Sequence, residues 1–245
     1  MNYSTIAIPY KEPIDAAVYP CAESVGTIVY SHGLFSSKDA YKINQIAPAL
    51  HDNGYTVISF SYGYTRHYTT GNPLTIALPQ CALELNAVIE FAANNYNPNL
   101  HIIGSSMGGA IALYYLAIMP YIFSIKSLSL IATPVHLQHL VRAIAPQGIS
   151  GMYVSVGEYI IDAQSLQQMD NIELIKHIPR VDVPVCIIHG QNDDVVPVSH
   201  AYDLQKHLCV PHTMHIIPDG DHTLTLQKHV TLILQYIMSW LKLHP

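Results

Sequence analysis

Leu100-His101-Ile102-Ile103-Gly104-Ser105-Ser106-Met107-Gly108-Gly109 runs from an apolar, strand-like stretch straight into a helical pattern that continues to about 119. A serine at such a strand-to-helix turn, in the pattern G-x-S-x-G, is held on a backbone so sharply bent that its neighbours two residues away must be nearly free of side chains. Gly104 and Gly108 meet that need, and the Met107 N–H at the new helix start points where an attacked carbonyl oxygen would lie. A glycine turn that merely caps a helix is the plainer alternative, and the strand before and helix after weigh against it. No Lys-Ser/Thr pair follows the glycines, so phosphate binding is a poor fit.

Outward from this turn the chain alternates short apolar runs with longer helical patterns. Strands are predicted at 3–8, 14–19, 27–30, 55–60, 100–103, 126–131, 183–188 and 213–217. Helices are predicted at about 39–52, 79–95, 107–119, 199–208 and 223–243, the first stopped by Asn53-Gly54. Apolar strands separated by helices predict an α/β fold with a mostly parallel central sheet covered on both faces, in a single domain. Ligands on such sheets sit at the carboxyl ends of the strands. The segment at about 135–178 breaks the alternation and reads as a small cap insertion, with a hairpin around Gly157 flanked by helical stretches.

Three further motifs fall at predicted strand ends. His32-Gly33-Leu34-Phe35-Ser36-Ser37-Lys38 follows the strand at 27–30, and either the Leu34 or the Phe35 N–H is placed to donate to an oxyanion. In His189-Gly190-Gln191-Asn192-Asp193-Asp194-Val195-Val196-Pro197, Asp193 is the preferred acid and Asp194 the alternative; both also suit a turn or a helix cap. In Pro218-Asp219-Gly220-Asp221-His222, the histidine lies on a loop before the last helix. The chain order Ser, Asp, His singles His222 out from the fifteen histidines present.

Taken together these motifs resemble the α/β-hydrolase superfamily, and within it the small serine esterases and acyl hydrolases with a minimal lid. The resemblance runs from His32-Gly33 to the terminal helix. It implies an α/β-hydrolase fold, Ser106 as nucleophile, Asp193 as acid, His222 as base, and the Leu34 or Phe35 and Met107 amides as oxyanion donors. The implied reaction is hydrolysis of a carboxylic ester or thioester of a small to medium substrate through an acyl-enzyme, without metal or organic cofactor. An acyltransferase or a carbon–carbon bond hydrolase would use the same triad, and a non-catalytic binding protein would keep the fold alone. The chain departs from many relatives after the strand at 55–60, where Ser61-Tyr62-Gly63-Tyr64-Thr65-Arg66-His67-Tyr68 replaces an Arg-Gly-x-Gly-like turn.

Composition narrows the alternatives. Half of the 245 residues are hydrophobic and 11% are charged, which suits a buried sheet and excludes a polyelectrolyte chain. The formal charge of −6, from 17 acidic and 11 basic residues, offers no basic stripe for nucleic acid. Met1-Asn2-Tyr3-Ser4 has no basic region before an apolar run, so no secretory leader is expected, and no stretch reaches the roughly 18 uncharged apolar residues of a spanning helix. Cys21, Cys81, Cys186 and Cys209 are scattered without a Cys-x-x-Cys pair, which reads as reduced thiols in a cytoplasmic protein. His136 and His139 have metal-like spacing, but no Glu or Cys completes a ligand set, so no metal is expected. Tyr62, Tyr64, Tyr68, Tyr153 and Tyr159 either line an aromatic pocket or simply pack. Oligomeric state has no signature in the sequence.

Overall fold

The protein is described by a computed structural model covering residues 3–245. Met1 and Asn2, on which the expectation of no leader partly rests, lie outside the described residues.

The chain opens with strands β1 (Ser4–Ile8), β2 (Ile14–Tyr19) and β3 (Gly26–Ser31). Helix α1 (Tyr41–Asp52) follows and is stopped by Gly54, whose φ of 89° lies where a side chain would be strained. Strand β4 (Tyr55–Phe60) leads through a 3₁₀ turn at Gly63–His67 to α2 (Leu78–Asn95), which carries Pro79 in its first turn, where no intrahelical N–H is needed. Then come β5 (Leu100–Ser105), α3 (Met107–Ile118) and β6 (Ile125–Ile131). The 135–178 segment holds α4 (Leu137–Ile144), a hairpin of β7 (Tyr153–Val156) and β8 (Tyr159–Asp162), and α5 (Ala163–Asp170). A second 3₁₀ stretch, Leu174–Arg180, follows before β9 (Val185–Gly190), α6 (Ser199–His207), β10 (His212–Ile217) and α7 (Gln227–Leu243).

Eight strands form one sheet in the order β1-β2-β4-β3-β5-β6-β9-β10. Only the β1–β2 and β2–β4 pairings are antiparallel, so the sheet is mostly parallel, as the uninterrupted apolar strands predict. Helices α2 and α3 cover one face, with Leu85, Val88, Ile111 and Tyr115 fully buried there; α1 and α7 cover the other with Ile43, Ile46, Ile233 and Ile237. Strand order reverses on either side of β3, and at such a switch point neighbouring loops diverge and leave a crevice at the carboxyl edge. Register aligns that edge: Ser31 pairs with Gly104, Ser105 with Ile131, and Gly190 with Ile217.

Expected boundaries shift by two residues at β5, β9 and α1, and by more at the last helix. Helix α7 begins at Gln227 rather than about 223, because the Asp221 carboxylate accepts from the Leu224 N–H at 2.7 Å and the Thr223 hydroxyl at 2.9 Å, holding a separate turn. His136 lies just before α4 and His139 within it. The hairpin around Gly157 is present, with Gly157 at φ 58°, and it is tied to the rest of the molecule: the Leu74 N–H donates to the Ile160 carbonyl at 2.7 Å and the Asp162 N–H to the Leu74 carbonyl at 3.0 Å. Among the described residues, no helix is long and apolar enough to cross a membrane.

Candidate active site

Ser106 occupies the single residue between β5 and α3 at φ 51°, ψ −122°, a conformation costing about 1–3 kcal/mol for a residue with a Cβ. Its surroundings hold it there. The Ser106 N–H donates to the Ile131 carbonyl at 2.8 Å, and its own carbonyl accepts from the Gly109 N–H at 2.9 Å. The two glycines expected to permit the bend do so by close backbone approach. A Cβ on Gly104 would lie 2.5 Å from the Gly109 Cα, and one on Gly108 would lie 2.1 Å from the Ser31 carbonyl oxygen.

The three predicted side chains meet across this edge. Ser106 Oγ lies 3.0 Å from His222 Nε2, and His222 Nδ1 lies 2.8 Å from Asp193 Oδ2. With Nδ1 facing a carboxylate, that nitrogen carries the proton and donates, which leaves Nε2 to accept from the serine hydroxyl. The Asp193 side chain is fully buried, whereas Asp194 is exposed and makes no such contact. The turn-forming role is also real, and it belongs to the same residue: Asp193 Oδ1 accepts from the Val195 N–H at 3.0 Å and the Val196 N–H at 2.7 Å. Burial by itself would raise the Asp193 carboxyl; hydrogen bonds from His189, His222 and the Val196 amide outweigh it and hold the group well below the usual carboxylate range. The histidine and acid loops touch directly, since a Cβ on Gly190 would lie 2.4 Å from the Gly220 carbonyl oxygen.

The loop after β3 lies alongside the serine. A Cβ on Gly33 would sit 3.2 Å from Ser106 Cβ, and Leu34 and Phe35 follow, Phe35 at φ 56°. His32 anchors the loop: its Nδ1–H donates to the Gly33 carbonyl at 2.7 Å and its Nε2 accepts from the Tyr62 N–H at 3.2 Å. Both contacts use the neutral ring, and burial pushes its pKa down to about 4. Met107, at the start of α3, is buried. Ser31 Oγ donates to the Gly108 carbonyl at 2.8 Å and lies 2.6 Å from the Tyr62 hydroxyl, joining this loop to the first turn of α3.

Four of the five tyrosines singled out above line up beside the loop. Tyr62 and Tyr64 stack at 5.8 Å, Tyr64 meets Tyr68 at 6.2 Å, and Tyr68 meets Tyr159 of the hairpin at 5.0 Å. Tyr159 in turn stacks on Phe35 at 4.7 Å, so the hairpin rests on the loop next to the serine. Tyr153 is exposed and apart from this wall. The histidine pair at 136 and 139 gains a third ring: His139 Nδ1 lies 3.0 Å from His200 Nε2, and His136 Nε2 lies 2.8 Å from Asp203 Oδ2. Among the described residues, no three His, Cys, Asp or Glu side chains converge as metal ligands.

Two residues near the serine carry no signal in sequence. Lys42 of α1 is buried, with its ammonium 3.1 Å from Ser105 Oγ, and burial lowers its pKa to about 8 against the opposing pull of Asp221 and Asp193. His189 is buried against Asp193. A Lys on a helix pattern and a His at a strand end are both common on surfaces, so only the packing reveals them.

The family model described as the alpha/beta hydrolase fold matches residues 26–153, more than half of the chain. The chain belongs to the α/β-hydrolase family. The human serine hydrolase BPHL is 35% identical over 69 residues, which is 24% of this α/β hydrolase and 23% of that protein. The uncharacterized protein YqkD of Bacillus subtilis is 22% identical over 236 residues, covering 94% of this chain and 76% of its own. Among solved structures, Est1E from Butyrivibrio proteoclasticus superposes with a TM-score of 0.81 at 15% identity, covering 98% of both chains. A second structure of that protein has ferulic acid bound, and superposes with a TM-score of 0.81 at 16% identity and the same coverage. At these identities the structural likeness establishes the fold.

Proposed function

We propose that this α/β hydrolase cleaves carboxylic esters or thioesters of small to medium substrates through an acyl-enzyme on Ser106. The observation that carries the reading is the continuous hydrogen-bonded line from Ser106 Oγ through His222 to the buried Asp193. His222 Nε2 takes the hydroxyl proton as Ser106 attacks the carbonyl carbon, and Asp193 stabilises the imidazolium that forms. The tetrahedral oxyanion lies between the Met107 N–H and the N–H of Leu34 or Phe35, and losing one such donor typically costs about 10²–10³ in rate. His222 then returns the proton to the leaving alcohol or thiol, and repeats the cycle with water to release the acid.

The esterase neighbours, though distant, agree with this chemistry. The wall of Tyr64, Tyr68, Tyr159 and Phe35 favours substrates with a flat or aromatic acyl group over long flexible chains, and the ferulic acid held by Est1E is of that kind. The 135–178 segment, whose hairpin sits on the loop beside Ser106, is the cap of the single domain in this reading.

The test is hydrolysis of p-nitrophenyl esters from acetyl to dodecanoyl and of a feruloyl ester, wild type beside Ser106→Ala. Turnover that disappears in the variant is expected. Activity of Ser106→Ala above a few per cent of wild type, or a folded wild type that neither turns over any ester nor reacts with a fluorophosphonate, overturns the assignment.

A further inference from the structure

His189, the penultimate residue of β9, is almost wholly buried, and the reaction outlined above gives it nothing to do. Its Nε2 lies 2.8 Å from the Val196 carbonyl oxygen and 3.3 Å from Asp193 Oδ2. A ring nitrogen facing two acceptors carries its proton, so His189 is an N–H donor at this position, its shorter contact to Val196 and its longer one to the carboxylate. Val196 itself donates its N–H to the other carboxylate oxygen at 2.7 Å. The contacts therefore close a ring: His189 to the Val196 carbonyl, the Val196 N–H to Asp193 Oδ1, and Asp193 Oδ2 back to His189.

This ring does two things to the acid. It sets the plane of the carboxylate, so that Oδ2 presents a lone pair to His222 Nδ1 at 2.8 Å. It also surrounds a fully buried anion with donors, two amides on Oδ1 and two imidazoles on Oδ2, so that no oxygen is left to compete for the His222 proton. We propose that His189 is a positioning residue, the fourth member of the Ser106–His222–Asp193 line, which orients Asp193 and moderates its basicity so that the proton stays on His222. The proposal rests on the acyl-transfer reading of Ser106. Burial pushes the Asp193 carboxyl up, and the hydrogen bonds from His189 and His222, the His222 charge and the Val196 amide together hold it low, which agrees with this role. The other charged or titratable groups facing this corner are Lys42 from α1, Asp221 beside His222 and His200 from α6; each is unchanged in the variants below.

The test compares His189→Leu, which removes the donor, with His189→Gln, which keeps an N–H at similar reach, and His189→Asn, which is polar but too short. For each, the rate of Ser106 labelling by a fluorophosphonate is followed against pH, and kcat and KM are measured with p-nitrophenyl acetate. With one donor gone, Asp193 is more basic and holds the His222 imidazolium more firmly. The acidic limb of the labelling profile is therefore expected to move up by about one pH unit in the Leu and Asn variants, and to stay in place in Gln. In the same two variants kcat is expected to fall roughly tenfold to a hundredfold with KM within about twofold, the signature of a misoriented reacting group, and Gln is expected to recover most of it.

An unshifted limb in a folded His189→Leu protein overturns the proposal. If Leu does not fold, Asn carries the same decision against Gln, and equal behaviour of those two reduces His189 to packing and overturns it as well. A wild-type protein whose Ser106 does not label at any pH refutes the acyl-transfer reading itself, an outcome distinct from labelling with an unmoved limb.

Discussion

Lys42→Met should make the protein more stable at neutral pH, although it removes a hydrogen bond. The ammonium sits in the packed layer between α1 and β5, and its pKa falls from 10.5 to about 8 because burial disfavours the charge more than Asp221 and Asp193 favour it. That difference corresponds to about 3 kcal/mol set against the folded state wherever both forms of the chain carry the proton. Methionine has nearly the same unbranched stem and fills the space without a charge. Against the gain stands the contact to Ser105, worth about 1 kcal/mol, and Ser105 keeps the Tyr30 hydroxyl as a neighbour. The expected net stabilisation is about 2 kcal/mol, or roughly 4–8 °C in Tm for a chain of this size. The sign also fixes the pH window. The folded lysine is neutral above about pH 8 while the unfolded one stays charged to about 10.5, so wild type recovers stability across that interval and the advantage of the variant shrinks. Thermal unfolding by circular dichroism at pH 7 and pH 10 reads both effects. A variant less stable than wild type at pH 7, or a Tm difference identical at the two pH values, refutes the reasoning.

The same geometry makes other outcomes measurable. Asp193→Asn should lower kcat for ester hydrolysis by about 10³–10⁴, because the amide presents the wrong partner to His222 Nδ1, while Asp194→Asn, at an exposed position, should stay within about twofold; the reverse ranking moves the acid. Gly108→Ala should cost about 1–3 kcal/mol in a denaturant titration, since the new methyl falls on the Ser31 and His32 carbonyl oxygens, and ester hydrolysis should fall with it. Burial pushes His32, His101 and His200 each down to about 4, so the neutral ring is the folded form of all three. Their contribution is intact above about pH 6.5 and is lost as the pH falls toward 4, where the unfolded chain binds protons that the folded one refuses. His101→Gln, remote from Ser106, should reduce the proton uptake on unfolding near pH 5 by about one; an unchanged uptake would show that the ring titrates normally in the fold.

Much of this architecture was legible in the sequence because the parallel strands are uninterrupted apolar runs and each site motif sits where such a run stops. The glycines at 104 and 108 announce the bend at Ser106, since nothing larger fits against Gly109 and Ser31. The sequence around 189–197 prefers Asp193 and keeps Asp194 as the alternative, and the turn folds the Asp193 carboxylate inward; Asp193 uses one oxygen to make that turn and the other to meet His222. Lys42, His189 and His200 were not legible at all. Lys42 and His200 meet partners 63 and 61 residues away in the chain, contacts that packing alone creates, and the partners of His189, though only 4 and 7 residues on, are brought to it by the turn that Asp193 folds. The late start of α7 has a smaller cause, an aspartate side chain that captures Leu224 before the helix can.

Tyr159 and Phe35 make one stack out of two segments with different duties, one from the hairpin and one from the loop beside Ser106. Such a pair contributes about 0.5–1.5 kcal/mol, added to the two backbone hydrogen bonds that tie the hairpin to Leu74 and to the contact of Tyr159 with Tyr68. The same stack backs Phe35, which stands at φ 56°. On the reading proposed here, an acyl group bound beside Ser106 meets a loop whose aromatic ring is backed by the hairpin, so a change at Tyr159 is felt at the oxyanion loop. Discrimination between acyl groups by the hairpin is then exercised in turnover as well as in affinity.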